Sequence, residues 1–220
     1  MHKIKSFYIA HAGKCLMAIA AFLFVVAVVS LFFPKKVIRE AMVNKASADG
    51  ANIGEMVDGR SLELSYRADV NDLLGVKLQF ANYGRTNDAG LIHVSIFKAD
   101  DAVPLATYQI ETRHISDGLV VDFGIPRQTE SMGETYRIQV VSEGSFAGNA
   151  VTLLNSSEDH ENLTTTVNGK PQENNVVFGI EYVGTSYPYT WTILLAATLF
   201  LTLSGAAPAG KPMLWKRKAG

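Results

Sequence analysis

Two uncharged apolar segments enclose a long acidic middle in which apolar residues recur at every second position. No other feature constrains the chain as much. Residues 15–33 carry no charge and include the run Ala18-Ile-Ala-Ala-Phe-Leu-Phe-Val-Val-Ala-Val-Val. Residues 189–207 are also uncharged and mostly apolar, with Thr190, Thr192, Thr198 and Thr202 interspersed. A hydrocarbon core of about 30 Å takes ~20 apolar residues in a helix, and a threonine hydroxyl in such a helix can bond a carbonyl of its own chain. The sequence therefore predicts two membrane-spanning helices, at 12–34 and 187–207. Tyr187, Tyr189 and Trp191 mark one membrane interface of the second, and basic residues mark the other.

The formal net charge of −1 conceals a sharp separation. All 21 Asp and Glu lie between Glu40 and Glu181, against ten Lys and Arg in the same stretch, so the middle carries −11 and the two ends +10. An acidic domain argues against a nucleic-acid partner. Basic ends beside apolar spans suit an anionic inner leaflet. Lys3, Lys5 and Lys14 before the first span nearly balance Lys35, Lys36 and Arg39 after it, and the tail with Lys211, Lys216, Arg217 and Lys218 decides the orientation. Both termini are expected on the cytoplasmic side of a bacterial plasma membrane, with the middle outside.

Phe33-Pro34-Lys35 is a poor cleavage site, so the first segment reads as an uncleaved signal anchor. A single cysteine, Cys15, excludes an intramolecular disulfide, and an exported domain without disulfides must hold itself by burial. The expected order is a basic N-terminus at 1–11, the first span at 12–34, a connector at 35–56 with a brief helical extension near Glu40, an extracytoplasmic β-domain at 57–184, the second span at 187–207 and a basic tail at 208–220.

Within the middle, period-two alternation marks half-buried strands. Leu62, Leu64 and Tyr66 alternate with Glu63, Ser65 and Arg67, and Val76, Leu78 and Phe80 with Lys77 and Gln79. Similar patterns surround Val94, Tyr108, Val121, Ile138, Leu153 and Phe178. Eight short strands punctuated by turn signals such as Asn71-Asp72, Asp117-Gly118 and Asn168-Gly169 predict a mainly β fold. The expected architecture is an antiparallel sandwich of jelly-roll type. Residues 155–175 read as a polar excursion with a small projecting ribbon at Asn168-Gly169.

Enzyme motifs are missing: there is no phosphate loop, no His pair at metal spacing and no Cys pair. Gly144-Ser145-Phe-Ala-Gly148 lacks the glycine two residues before the serine that a nucleophile elbow requires. His93, His114 and His160 are scattered, and Asp100-Asp101 reads as a turn. No cofactor or catalytic residue is expected. Loop oxygens would suit a structural calcium, but no spacing specifies one.

The candidate binding residues are Tyr83, Arg85 and Asn87, which leave a strand end on the loop of Phe80-Ala-Asn-Tyr-Gly-Arg-Thr-Asn87. An aromatic face stacks on a sugar ring, while Arg and Asn supply directional partners for hydroxyls. The competing structural reading packs Tyr83 on a neighbouring strand and pairs Arg85 with a carboxylate.

Residues 74–87, Leu-Gly-Val-Lys-Leu-Gln-Phe-Ala-Asn-Tyr-Gly-Arg-Thr-Asn, carry a family resemblance. So do Gly133-Glu-Thr-Tyr-Arg-Ile, Gly148-Asn-Ala-Val-Thr-Leu153, Val167-Asn-Gly-Lys-Pro and Val177-Phe-Gly-Ile-Glu-Tyr182. Together they resemble the galactose-binding-like β-sandwich module attached to bacterial multispanning glycosyltransferases of envelope glycans. The resemblance spans 54–182 and implies a jelly roll outside the membrane. The many spans and acidic catalytic loops of those proteins have no counterpart here, so transferase activity does not carry over. The expected function is a non-catalytic, membrane-anchored module that binds envelope carbohydrate or assists a membrane glycosyltransferase. The alternative is an assembly subunit that binds no sugar.

Overall fold

A computed structural model describes residues 2–99, 101–187 and 190–206, with the side chains of 2–13 and 204–206 left out. Asp100, Tyr189 and the basic tail at 208–220 lie outside the described residues. The chain divides into two compact units: a helical one from the two ends, and a β-domain at Ile38–Gly184.

The helical unit contains α1 (His2–Ser30) and α2 (Thr190–Ala206), which pack together. Proline has no amide hydrogen and disfavours helical geometry in the residue before it, so Pro34 sets the end of α1. The final turn tightens through bonds from the Leu31, Phe32 and Phe33 amides to the Val28, Val29 and Ser30 carbonyls at 3.0–3.2 Å. Among the described residues no helix is long and apolar enough to cross a membrane; α2 has 17 residues. The side chains buried in this unit are small: Ala20, Ala27, Ala197 and Thr190. Met17, Phe22, Phe24, Val25, Val28 and Val29 of α1 point outward, as do Trp191, Leu195, Leu199, Leu201 and Leu203 of α2. The Thr198 and Thr202 hydroxyls find partners inside their own helix, Thr198 on the Leu194 carbonyl at 2.9 Å and Thr202 on the Leu199 carbonyl at 2.8 Å. Ser30 and Thr190 share a hydrogen bond of 2.9 Å across the pair.

The β-domain is an antiparallel sandwich. One sheet runs β1 (Lys35–Met42), β11 (Phe178–Ser186), β3 (Leu73–Ala81), β6 (Leu119–Gln128), and β8 (Thr152–Leu153) also pairs with β3. The other runs β10 (Lys170–Pro171), β9 (Leu163–Val167), β2 (Ser61–Arg67), β7 (Thr135–Glu143), β4 (Leu91–Lys98), β5 (Ala106–Glu111). The eight predicted strands are all present, and their alternation determines what is buried. Leu62, Leu64 and Tyr66 meet Val76, Leu78, Phe80 and Phe178 in one apolar core, with Tyr66 and Phe178 ring centroids 5.0 Å apart. Each large apolar side chain taken from water in this way contributes about 1.5–3 kcal/mol.

Three features depart from the sequence reading. Residues 35–42 form strand β1, not a connector with a helical extension. The strand is fastened by Lys77 of β3, whose ammonium lies 3.0 Å from Glu40 of β1 and 2.6 Å from Asp122 of β6. Gly179 of β11 stands opposite Lys77 and offers no side chain to intervene. A Cβ there would lie 2.8 Å from Met42 Sδ and 3.1 Å from the Ala41 carbonyl. Burial pulls the Lys77 ammonium down, and the bonds to Asp122 and Glu40 more than offset it, so its pKa is raised.

Secondly, β9 lies inside the stretch read as a polar excursion. Thr165 occupies a core position there, and its hydroxyl donates to Asn175 Oδ1 at 3.0 Å. Thirdly, Asn168-Gly169 does make a two-residue turn, with φ of 49° and 73° as a type I′ hairpin requires. The ribbon does not project alone, because β9 pairs along β2 and becomes part of the sheet.

Candidate functional site

The loop after β3 is organised by Asn82. Its amide nitrogen Nδ2 donates to the Arg85 carbonyl at 2.6 Å and the Ile115 carbonyl at 3.0 Å, and its backbone N–H donates to Asp117 Oδ1 at 2.7 Å. This clamp holds Tyr83 at φ 61°, a left-handed conformation that is costly for a bulky side chain and is kept only where the surroundings impose it. The Tyr83 side chain is 40% exposed. Its hydroxyl donates to Asn52 Oδ1 at 2.8 Å, and the Arg85 guanidinium carbon sits 4.5 Å from the ring centroid, in cation–π range.

Arg85 Nη2 donates to Glu55 Oε1 at 2.6 Å and reaches the Ala150 carbonyl at 3.4 Å. Glu55 also accepts the Gly148 amide, at 3.1 and 3.0 Å to its two oxygens. The Gly148 bond, followed by the bond from Arg85, holds the Glu55 carboxyl below the usual carboxylate value. A carboxylate stabilised in its charged form and supplied with donors is a poor proton acceptor. The exposed Tyr83 ring offers an aromatic face at this rim. Phe146, at the start of the turn that presents Gly148, is exposed as well.

Tyr83 and Arg85 thus come together as the sequence suggests, but with their polar groups already engaged. Arg85 has the carboxylate partner of the competing reading. Asn87 does not join them. It is 1% exposed, its side-chain amide has no described partner, and its carbonyl accepts the Thr112 hydroxyl at 3.3 Å. The expectation of a surface amide at Asn87 is corrected by this burial. Glu55, Asn52 and Gly148 were missed because they lie 30 to 93 residues from their partners in sequence. No local pattern marks such a pairing.

The remaining candidates lie elsewhere. Ser145 is buried, and its hydroxyl has no described partner. His93 Nε2 is 2.7 Å from Glu143 Oε2, and its Nδ1 is 3.3 Å from Gln109 Nε2. A cleft of about 400 Å³ nearby is lined by Asp88, Gly90, Glu111, Arg113 and Glu143, and one of about 700 Å³ runs along β9 past His160 and Gln172. Neither includes Tyr83 or Arg85 in its lining. Among the described residues no group of three or more His, Cys, Asp or Glu could hold a metal ion.

No protein-family model matches the sequence, and no curated protein matches it. Among solved structures the chain is similar to a family two carbohydrate esterase from Cellvibrio japonicus, with a TM-score of 0.30, 12% identity, and coverage of 65% of this chain and 36% of that one. It is also similar to a structure of infectious bursal disease virus Gx strain, with TM-score 0.28, 11% identity, and 75% and 48% coverage. A third is turnip yellow mosaic virus, with TM-score 0.28, 9% identity, and 70% and 96% coverage. The chain spans about a third to a half of the length of the first two. Likenesses this distant carry no functional argument.

Proposed function

We propose that the chain is a non-catalytic, membrane-anchored module that holds a β-sandwich outside a bacterial plasma membrane and serves a glycan-handling membrane enzyme there. One observation carries the anchoring: the helix pair buries alanines fully and presents most of its large apolar side chains outward. In water that arrangement wastes the hydrophobic effect. In lipid it is the favourable one, because small residues let helices approach closely and the large ones meet acyl chains. The internally bonded threonines fit the same solvent, in which every polar group must find a partner within the protein.

Within this reading, the Tyr83 and Phe146 side chains at the sandwich rim are the surface offered to an envelope glycan. The assembly-subunit reading draws its support from the same rim, since Arg85 is committed to Glu55 and Asn87 is buried. The anchoring is tested on the full chain in bacterial membranes. It should stay with the membrane through an alkaline carbonate wash and leave only with detergent. Protease added from outside should cut within 57–184 and spare tags at both termini. Release by carbonate would overturn the proposal.

A further inference from the structure

The ends of α1 and α2 that meet through Ser30 and Thr190 carry a second kind of surface. Phe32 and Phe33, just beyond α1, are 76% and 77% exposed, and Trp191, in the first turn of α2, is 75% exposed. Tyr187, just before α2, is exposed as well. The next residues after Pro34 are Lys35 and Lys36, both exposed. Four aromatic side chains facing out around one end of a helix pair, followed at once by two ammonium groups, match the layered chemistry of a membrane interface. Tryptophan and tyrosine favour the headgroup level, where an apolar body and a polar tip are both satisfied. Lysines placed just beyond that level meet phosphate.

We infer that this end of the helix pair is a lipid-headgroup belt. Phe32, Phe33, Tyr187 and Trp191 seat in the interfacial layer, and Lys35 and Lys36 bind the phosphates of anionic phospholipids. The inference rests on the membrane reading above and adds to it the depth of insertion and the class of lipid. Charge complementarity favours an anionic lipid over a protein partner. The complementarity comes from Lys35 and Lys36, two adjacent exposed ammonium groups directly after the aromatic residues.

The test uses the full chain with Trp215, its other tryptophan, replaced by phenylalanine, reconstituted in vesicles of phosphatidylcholine with or without phosphatidylglycerol. Trp191 fluorescence should be quenched more by lipids brominated near the headgroup than by lipids brominated near the chain end. Energy transfer from Trp191 to dansyl-phosphatidylglycerol should exceed that to dansyl-phosphatidylcholine. That preference should fall by up to roughly thirtyfold in Lys35→Gln/Lys36→Gln and return in Lys35→Arg/Lys36→Arg. Stable insertion with deep quenching, or with a preference unchanged in the glutamine variant, would overturn the belt and leave the anchoring intact. Failure to insert would overturn both.

Discussion

The helix pair and the sandwich use the same apolar residues in opposite ways. In the sandwich the largest side chains, Tyr66, Tyr136, Phe80, Phe123 and Phe178, are fully buried, and the sheet surfaces carry charge and hydroxyls. In the helix pair Ala20, Ala27 and Ala197 are buried, while Phe22, Phe24, Trp191, Leu195 and Leu199 face out. Composition already separates the two uncharged apolar segments from an acidic sandwich. Direction separates them further: the sandwich turns its largest rings inward, and the helix pair turns most of its large side chains outward.

The largest effect should come from inverting that comparison. Phe178→Ala removes a fully buried ring in contact with Tyr66 and should cost the β-domain about 3–5 kcal/mol. Phe24→Ala removes a side chain of the same size that faces out from α1 and should leave the unfolding midpoint of the domain unchanged. Ala27→Leu reverses the test within the helices: enlarging the buried alanine should cost the pair about 1–3 kcal/mol, read as loss of helix association in detergent. Equal loss of domain stability in the Phe178 and Phe24 variants would end the distinction between the two regions.

The sandwich was legible where one strand could be read by itself. Leu62, Leu64 and Tyr66 announce their shared face by alternation, and Asn168-Gly169 announces its turn. Strand order was not legible, because it depends on pairings far apart in sequence. β2 lies between β7 and β9, and β3 between β6 and β11. β1 was missed because its residues are mostly exposed and charged, so its alternation carries little signal. It is placed by Lys77, some forty residues away, and by the missing side chain of Gly179. β9 was missed because Thr165 fills a core position and is satisfied there by Asn175, which no hydrophobic pattern reports. At the rim, Tyr83 and Arg85 stood out as residue types. Their partners Asn52, Glu55 and Gly148 did not, and it is the partners that decide what the pair can still bind.

A middle-sized effect tests whether the rim is a latch. Glu55→Gln removes the charge that holds Arg85 and the Gly148 amide, and should cost the domain about 1–2 kcal/mol near neutral pH. The sign with pH follows from the depressed carboxyl. Its contribution is complete above the ordinary carboxylate value of 4.5 and is lost as pH falls through the lower folded value. The gap between wild type and Glu55→Gln in denaturant midpoint should therefore stay constant from neutral pH down to about 4.5, then close in more acid solution. A gap that widened in acid would mean that the carboxyl is not held in its charged form.

The smallest effect separates the latch from a platform. Tyr83→Phe deletes only the hydroxyl bonded to Asn52 and should cost about 0.5–1.5 kcal/mol. The ring and its stacking on Arg85 remain. Tyr83→Ala deletes the ring as well, and with it the aromatic face a sugar would use. If the rim binds an envelope glycan, glycan retention should survive in Tyr83→Phe and vanish in Tyr83→Ala, although both variants lose the same bond to Asn52. If the residue only pins the loop to the segment carrying Asn52 and Glu55, the two variants should differ in stability and agree in glycan retention. The left-handed φ of 61° sharpens the contrast. Phenylalanine and alanine both inherit most of that backbone cost, so whatever divides them comes from the ring.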